Sequence, residues 1–496
     1  MEELINKEDI LNNINGYALD EYQRKVVLSD KKALLVVAGA GSGKSLTIIG
    51  KIVYLVKCLN VPISSILCIS LTNDATNNLR NNIRKNYDFD ITVYTFHKLA
   101  LEILKSHGIT FDIADDTFLD SVIDNFILNN ISTNKILLKA YKKLVTNQKE
   151  EVNLKRLIKT FINLFKANNF EVIYFKEMLR KIRWTFSFKK YQKNKCLILL
   201  ILNIYLIYQH ELQENNLIDF NDMINKCREV VSEKGVKNKW QYIIVDEYQD
   251  TSLTKFNFLQ EIINKTNASF LGVGDDFQSI YRFTGCDLNI FLNFRKYFKE
   301  AEILKIINTY RNPQELINVA GSFVMENRRQ IRKKLVSNKH LDKPIVLYYI
   351  NNNIKALKEL LKKAEGEIFV IGRNNKDIFK YIDDEYKTLE DSYYSYQGIK
   401  FRYLTAHKSK GLESDTVILI NVCNDLLGFP TKIKDEEILK YVNNTKDIYP
   451  YEEERRLFYV ALTRTKNKVY IICHNESIFV KELTKYKKYI EIVKSK

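Results

Sequence analysis

The sequence predicts an α/β protein with two parallel sheets, on three observations. Short apolar runs alternate with helical patterns in two separate stretches, as in parallel sheets that helices cover. A glycine-rich loop ending in Lys-Ser follows the first apolar run. The 496 residues suffice for several domains, each with its own core. We therefore predict two α/β domains.

The strands of each domain are predicted from the apolar runs. In the first set they cover residues 33–37, 66–71, 91–94, 242–246 and 270–273. In the second set they cover residues 303–307, 345–349, 368–371, 401–405, 417–420 and 469–473.

A long insertion, residues 104–215, separates the third and fourth strands of the first set and has a helical pattern without strand signals. Residues 133–195 carry 17 Lys and Arg against 4 Glu and no Asp. Aromatic residues are interleaved, which suits a surface that tracks phosphates and stacks on bases. The alternative is that the lysines form a solvated face and the aromatics a core. We favour a core position for most of the aromatics, and we favour nucleic-acid binding as the role of the clustered positive charge. The aromatics are Tyr141, Phe161, Phe165, Phe170, Tyr174, Phe175, Trp184, Phe186, Phe188 and Tyr191.

The bulk composition favours a polyanionic partner in a reducing compartment. A net charge of +17 favours nucleic acid or an anionic membrane surface. The seven cysteines form no C-x-x-C pair, which argues against a zinc site and against a disulfide scaffold. The N-terminus, Met1 to Leu4, lacks a signal-peptide pattern, and the longest apolar run, residues 196–208, is too short to span a bilayer. We predict a cytoplasmic protein that does not act at a membrane.

The loop after the first strand predicts phosphate binding. Its glycines let backbone N–H groups turn toward an anion at the positive end of the following helix. Lys44 is expected to reach the outer phosphates, and the Ser45 hydroxyl to hold a divalent cation. The strict pattern begins with glycine, whereas this loop begins with alanine. The loop comprises Ala38, Gly39, Ala40, Gly41, Ser42, Gly43, Lys44 and Ser45.

Polar groups after the later strands complete a predicted nucleotide hydrolase. Asp246 and Glu247 end the fourth strand, where Asp246 is expected to hold Mg²⁺ and Glu247 to deprotonate the attacking water. After the fifth strand, Gln278 is a candidate sensor of the γ-phosphate, while Tyr281 and Phe283 offer stacking faces to bases.

Two arginines of the second half are candidates for stabilising charge in the transition state. Arg311 lies in Tyr-Arg-Asn-Pro, and Arg464 in Ala-Leu-Thr-Arg-Thr. An arginine from a second domain that points at a γ-phosphate couples hydrolysis to domain closure.

Taken in order, these motifs resemble the superfamily 1 DNA helicases of the UvrD/Rep/PcrA type. The resemblance covers nearly the whole chain and rests on Leu19–Gln23, the P-loop, Thr72–Ala75, Thr95–His97, Asp246–Asp250, Gln278–Tyr281, Tyr310–Arg311, Thr405–Glu413 and Glu453–Arg464. It implies two RecA-like domains that open and close over ATP and Mg²⁺ while the protein moves 3′ to 5′ along single-stranded DNA.

The resemblance also implies roles for single residues. Gln23 would read the adenine, Tyr310 would stack on it, and Glu413 would bond the ribose. Lys44, Gln278, Arg311 and Arg464 would surround the γ-phosphate. The residues expected toward DNA are Thr72, Asn73, Phe96, His97, Tyr281, Phe283, Thr405 and His407.

The chain also departs from the larger members of this family. They insert a regulatory subdomain after the position of Arg373 and Asn374, where only residues 375–404 precede Thr405 here. The motif wording is most similar to bacterial helicase IV, which also lacks that insertion. We predict a first domain over residues 1–103 and 216–300, a helical DNA-facing insertion over 104–215, and a second domain over 301–496.

Our main hypothesis is an ATP-dependent 3′-to-5′ DNA helicase or translocase that acts on single-stranded or tailed duplex DNA. An alternative is a helicase-like ATPase subunit of an antiphage complex, similar to Gabija-type systems, that acts with a partner nuclease. A third reading is an inactive DNA-binding relative, against which stand Lys44, Asp246, Glu247, Gln278, Arg311 and Arg464.

Overall fold

The computed structural model describes residues 7–183, 187–443 and 448–494, with two α/β sheets and a helical layer. Trp184, Phe186 and the Met1–Leu4 stretch lie outside these residues. The strands are β1 Ala33–Ala38, β2 Ile66–Ser70, β3 Val93–Thr95, β4 Asp112–Ile113, β5 Leu217–Ile218, β6 Tyr242–Val245, β7 Ser269–Gly274, β8 Glu302–Ile306, β9 Ile345–Tyr349, β10 Ile368–Gly372, β11 Tyr386–Thr388, β12 Tyr393–Tyr396, β13 Ile399–Thr405, β14 Ser414–Leu419, β15 Thr465–Cys473 and β16 Ile490–Lys494.

Helices surround both sheets and fill the insertion. They are α1 Lys7–Asn12, α2 Glu21–Leu28, α3 Lys44–Lys57, α4 Asn73–Arg84, α5 Phe96–Ser106, α6 Phe118–Asn125, α7 Ile131–Thr133, α8 Lys135–Lys142, α9 Gln148–Ala167, α10 Tyr174–Arg183, α11 Phe188–Glu214, α12 Phe220–Lys234, α13 Leu253–Thr266, α14 Leu288–Leu292, α15 Phe294–Tyr297, α16 Gln314–Met325, α17 Asn353–Lys363, α18 Glu452–Leu462 and α19 Ile478–Leu483.

The first sheet places the predicted phosphate-binding groups at one edge. Its six parallel strands run in the order β3-β2-β6-β7-β1-β8. β1 is buried along its whole length, as expected of a central strand that helices cover on both faces. Because the carboxyl ends of parallel strands meet at one edge, the loops after β1, β6 and β7 lie side by side.

The second sheet has eight strands in the order β11-β12-β13-β10-β14-β15-β9-β16 and is mixed. Its strands pair in parallel except for the hairpin pairs β11–β12 and β12–β13. The turn between β12 and β13 is made by Gln397 and Gly398, both with positive φ, as a two-residue type I′ turn requires. The hairpin occupies much of the short stretch before Thr405.

The structure corrects the strand prediction in three places. The strand expected over residues 303–307 pairs with β1, so it is the edge of the first sheet and not part of the second. The antiparallel strands β11 and β12 and the edge strand β16 were not predicted. The insertion also contributes the two-residue strand β4, which pairs with β5, so it is not entirely helical.

The insertion has its own apolar core, and most of its aromatic residues belong to it. Phe161, Phe165 and Phe175 are buried there, whereas Phe188 is 76% exposed. By length and composition one helix of the described residues, α11, could cross a membrane. Half of its apolar stretch is buried inside the protein, where it packs into the insertion core, so it fits the role of a core helix.

A segment of the second half of the chain crosses to the insertion. This crossing segment, residues 435–443, includes a short 3-10 helix, Glu437–Tyr441, and buries Ile438 and Val442 in the insertion core. Its main chain is also held, since Asn168 Nδ2 donates to the Val442 carbonyl at 2.9 Å and the Tyr174 hydroxyl to the Tyr441 carbonyl at 2.8 Å. The insertion and the second sheet are therefore linked by packing as well as through the chain.

Truncating a buried side chain of the crossing segment is expected to destabilise the protein. Ile438 is 1% exposed, so Ile438→Ala should cost about 2–4 kcal/mol through lost burial and the cavity left behind. The matched control is Ile433→Ala, because Ile433 is 57% exposed. Urea unfolding followed by circular dichroism should give a lower midpoint for the first variant only; equal midpoints would refute the docking.

Candidate functional site

The loop between β1 and α3 forms an anion cradle. Gly41 and Gly43 have φ of 70° and 74°, a conformation that glycine adopts without strain. A Cβ on Gly41 would lie 2.5 Å from Arg311 Cβ, so the loop is in close contact with the segment around Arg311 that follows β8. Because α3 begins at Lys44, the first N–H groups of the helix have no partner within it. Ala38, the departure from the glycine pattern, is the buried last residue of β1.

Glu247 stands between two lysines beside this cradle. Its Oε1 is 3.0 Å from Lys44 Nζ, and its Oε2 is 3.6 Å from Lys410 Nζ. The backbone of Glu247 has φ of 52°, which is costly for a non-glycine residue and is typical of functional positions. Its main-chain N–H donates to Asp246 Oδ1 at 2.9 Å, which orients the Asp246 carboxylate.

The two carboxylates titrate in opposite directions. Burial and repulsion from Glu247 raise the pKa of Asp246 to about 6. Burial also opposes charge on Glu247, but Lys44 and Lys410 outweigh it and lower the pKa of that carboxyl. Glu247 is thus held ionised by the two lysines, while Asp246 is a buried carboxylate whose oxygens are of the kind that a divalent cation takes.

Lys410 is a site residue that the sequence reasoning assigned no role. It comes from the turn after β13 and pairs with Asp250 and Glu247 of the first sheet's loop. Its Nζ also donates to the Gln278 carbonyl at 2.8 Å. Asp250 and Glu247 raise the pKa of Lys410 against the effect of burial, so it stays a cation. The sequence feature that could have identified Lys410 is its position within the Thr405–Glu413 motif.

The two predicted arginines reach the same place from the second half of the chain. Arg464 is 1% exposed, and its Nη2 donates to Gln278 Oε1 at 3.2 Å. Burial, together with the neighbouring Arg311, lowers the pKa of Arg464 to about 9. Arg311 Nε donates to Glu413 Oε2 at 2.7 Å, so these two predicted site residues are paired with each other.

The residues expected around the nucleoside lie at the other end of the cradle. Gln23 is buried, with its Nε2 donating to the Ser42 carbonyl at 3.2 Å and its Oε1 accepting from the Asp20 N–H at 3.0 Å. Tyr310 is 60% exposed, and its hydroxyl donates to Asp20 Oδ2 at 2.7 Å. The Tyr310 ring thus offers an open stacking face, whereas the Gln23 amide is engaged with the P-loop.

Metal-ion ligands are available at this edge, and the residues fit magnesium. Ser45 is exposed at the first turn of α3, and Asp246 directly follows β6. Hydroxyl and carboxylate oxygens beside a phosphate-binding loop are the donors that Mg²⁺ takes. A second group lies beyond the carboxyl ends of β14 and β15, where three potential ligand atoms lie within 4.8 Å of one another. They belong to Cys423, Asp425 and His474. That grouping was not expected from the scattered cysteines.

Three aromatic rings form a stacking cluster that spans both halves of the chain. Phe283 is 55% exposed, and its ring centroid is 5.5 Å from that of His407, in an edge-on arrangement. Tyr281 lies 6.1 Å from Phe283, with Lys410 Nζ 5.0 Å from the Tyr281 ring centroid. Burial, next to Arg373, lowers the pKa of His407 to about 4, so at neutral pH it is an uncharged ring.

The other residues expected toward DNA differ in how exposed they are. Thr72 and Asn73 are exposed at the start of α4, where the first N–H groups of the helix suit a phosphate. Thr405 is the last residue of β13 and is buried. His97 is half-buried and packs on Phe220 at 4.9 Å. Phe96 is 3% exposed in the core of the first sheet, so its ring has no surface to offer.

The first sheet carries a P-loop, a second α/β sheet joins it, and Lys44 and Lys410 from the two halves of the chain meet at Glu247. These features define a class, the P-loop proteins with two RecA-like domains. Within that class, the chain belongs to the UvrD/Rep helicase family, because the model of the UvrD/REP helicase N-terminal domain matches residues 19–299. The matched stretch contains the P-loop, Asp246, Glu247 and Gln278.

Named relatives agree with this assignment. DNA helicase IV of Escherichia coli is 25% identical over 95% of this chain and 70% of its own length. ATP-dependent DNA helicase Rep of Buchnera aphidicola is 30% identical over 74% of this chain and 53% of its own. ATP-dependent DNA helicase PcrA of Staphylococcus aureus is 27% identical over 86% of this chain and 54% of its own. The chain thus spans about half the length of the Rep and PcrA relatives.

Proposed function

We propose that this protein is an ATP- and Mg²⁺-dependent DNA helicase or translocase that moves 3′ to 5′ on single-stranded DNA. The observation that carries the proposal is the meeting of both halves of the chain at one carboxylate. Lys44 from the first half and Lys410 from the second both lie beside Glu247, with Arg464 on the neighbouring Gln278. Cations from two domains at one hydrolytic site are what coupling of hydrolysis to domain movement needs.

In the proposed mechanism, phosphate binding frees the catalytic base. A γ-phosphate in the cradle competes with Glu247 for the Lys44 ammonium, which is 3.0 Å from the carboxylate. Glu247 then accepts a proton from the attacking water, and Arg311 and Arg464 neutralise charge that develops on the phosphate. Ser45 and Asp246 would hold Mg²⁺, which would neutralise charge at the phosphates. To neutralise charge on the phosphate, Arg311 must first be released from Glu413. The Glu413 carboxylate then becomes available to the ribose.

Coupling to DNA is proposed to run through two short loops. Gln278 at the nucleotide side and Tyr281 at the stacking cluster are three residues apart in one loop. Lys410 and His407 are likewise three residues apart in the turn after β13. A shift of either loop as the phosphate leaves therefore moves a stacking ring, which is the step that translocation needs. The exposed lysines of the insertion would hold the DNA backbone.

We propose a domain division that follows the sheets. The first RecA-like domain covers residues 1–103 and 216–300, extended to Ile306 because β8 pairs with β1. Residues 104–215 form the DNA-facing insertion, and the remainder to residue 496 forms the second domain. The hairpin of β11 and β12 fills much of the stretch between Asn374 and Thr405, where we expect the regulatory subdomain of larger family members to be missing.

Removing the exposed ring of the stacking cluster is expected to weaken DNA binding. Stacking of a base on an aromatic side chain contributes about 1–3 kcal/mol, so Phe283→Ala should raise the Kd for oligo-dT about 5- to 150-fold. The control is Phe379→Ala, because Phe379 is also exposed but lies outside the cluster. Fluorescence anisotropy at one fixed salt concentration measures both; equal affinities would remove Phe283 from the DNA site.

The direction of movement is tested by stopped-flow translocation on single-stranded DNA labelled at either end. The proposal expects the fluorophore at the 5′ end to report arrival after a lag that grows with DNA length. Arrival at the 3′ end would reverse the polarity, and no length dependence would refute translocation. The antiphage alternative stays a hypothesis, since none of the relatives named above bears on a partner nuclease.

A further inference from the structure

A fully buried lysine lies next to the nucleotide site. Lys333 Nζ is 2.5 Å from Asp275 Oδ1 and 2.6 Å from Asp276 Oδ1, and none of the three side chains is exposed. The same ammonium is 3.7 Å from the centroid of the Phe277 ring. Burying three charges is expensive, and it persists only where pairing and hydrogen bonds compensate it. Packing of the core alone therefore does not explain why these three charged side chains are buried.

One of the two acids touches the γ-phosphate sensor. Gln278 Nε2 donates to Asp275 Oδ2 at 2.6 Å, and Gln278 Oε1 accepts from Arg464 Nη2 at 3.2 Å. An amide side chain has two N–H donors at its nitrogen and acceptors at its oxygen. Asp275 takes one N–H, which turns the amide so that the second N–H remains for a phosphate oxygen. Asp276 binds Gln330 Nε2 at 3.1 Å and the Ile331 N–H at 2.8 Å.

The segment that carries Lys333 connects the two halves of the chain. After α16, which packs in the core of the second sheet, the Val336 N–H donates to the Ile307 carbonyl at 2.9 Å. Leu335 packs on the P-loop so closely that a Cβ on Gly39 would lie 2.4 Å from its Cδ1. Lys339 Nζ then donates to the Lys466 carbonyl at 2.6 Å. Lys333 is thus fixed where the segment after β8, the P-loop and the Gln278 loop meet.

We propose that Lys333 is a positioning residue, which holds Asp275 as an acceptor so that Gln278 presents an N–H to the γ-phosphate. The inference rests on the proposed function and adds to it a residue outside the motifs. Lys333 has only donors to offer, so the group at position 275 must face it with an oxygen. A carboxylate can do this and still accept from Gln278 with its second oxygen.

An asparagine at position 275 is expected to turn over the side-chain amide of Gln278. The asparagine oxygen must face Lys333, so its amide nitrogen faces Gln278 and the Gln278 amide has to turn over. The Gln278 oxygen is then directed away from Arg464, and the phosphate loses one donor. Losing one such donor costs about 10²–10³ in kcat, so D275N should lower kcat by about 10²-fold with little change in the Kd for ADP.

The matched control is D276N. It removes the same charge and faces the same Lys333 ammonium, but Asp276 is not hydrogen-bonded to the Gln278 side chain. The proposal expects D276N to lower the unfolding temperature while kcat stays near that of the wild type. It also expects the double variant K333M/D275N to regain part of the kcat lost in D275N. Without the ammonium, only the Phe277 N–H, which donates to Asp275 Oδ1 at 3.1 Å, still holds the oxygen at position 275 away from Gln278.

The experiment is steady-state ATP hydrolysis with saturating oligo-dT, together with thermal unfolding of each variant. Equal losses of kcat in D275N and D276N, or no regain in K333M/D275N, would overturn the positioning role, since lost stability alone predicts both. If D275N fails to fold, the double variant compared with D276N decides the question. Wild-type protein without DNA-stimulated hydrolysis would instead refute the proposed function.

Discussion

Arg464→Ala is expected to reduce ATP hydrolysis by about 10³- to 10⁵-fold, the range for arginines that stabilise a transferring phosphoryl group. Arg464 is buried, it contacts Gln278, and it comes from the half of the chain that does not hold the P-loop. In the proposed mechanism its charge therefore reaches the γ-phosphate only when the two domains are closed. We expect the Kd for ADP to change little, because ADP lacks that phosphate.

The control for Arg464 is a second buried arginine of the same region. Arg455 lies on α18 and pairs with Glu482, with Nη2 to Oε1 at 2.7 Å, away from the nucleotide groups. Removing one partner of such a pair costs about 3–5 kcal/mol, so Arg455→Ala should lose stability. Its kcat, measured below its unfolding temperature, should stay near that of the wild type. Equal kcat losses in both variants would mean that Arg464 acts only in folding.

Lys44→Ala is expected to lower kcat by about 10²- to 10³-fold, since it removes one charged donor from the developing phosphate charge. The variant should keep its fold, because Glu247 retains Lys410 and a hydrogen bond from Gln249 Nε2 at 2.5 Å. DNA affinity should be preserved, because the stacking cluster does not involve Lys44.

The measurement for Lys44 is DNA-stimulated phosphate release at saturating ATP. Lys57→Ala is the control, because Lys57 lies at the far end of the same helix, α3, and should leave turnover unchanged. A Lys44→Ala variant that hydrolyses ATP at the wild-type rate would show that the loop is not the nucleotide site.

The local parts of the site could be predicted from the sequence. β1, the P-loop and α3 are contiguous, so their geometry follows from an apolar run, three glycines and a helical pattern. Asp246 and Glu247 directly follow the strand β6, and the carboxyl edge of a parallel sheet collects such groups. The meeting of Arg464 with Gln278 is not local, and only the order of the motifs indicated it.

What the sequence did not predict depends on long-range packing. Arg332, Lys333 and Lys334 form a charged run typical of a surface, yet Lys333 is buried because two acids from another loop surround it. The apolar residues at 438, 439 and 442 are too few to show a helical period, and their partner lies in another part of the chain. β8 has an ordinary strand pattern, but no local property tells which sheet it joins.

The central claim is that ATP hydrolysis at the shared site is coupled to single-stranded DNA. Steady-state ATPase activity of the purified chain, with and without oligo-dT, tests it most directly. We predict a rise in kcat of at least about tenfold with DNA, since the stacking rings and the hydrolytic groups share two loops, and a loss of hydrolysis with Lys44→Ala. Turnover that is the same with and without DNA would contradict the account.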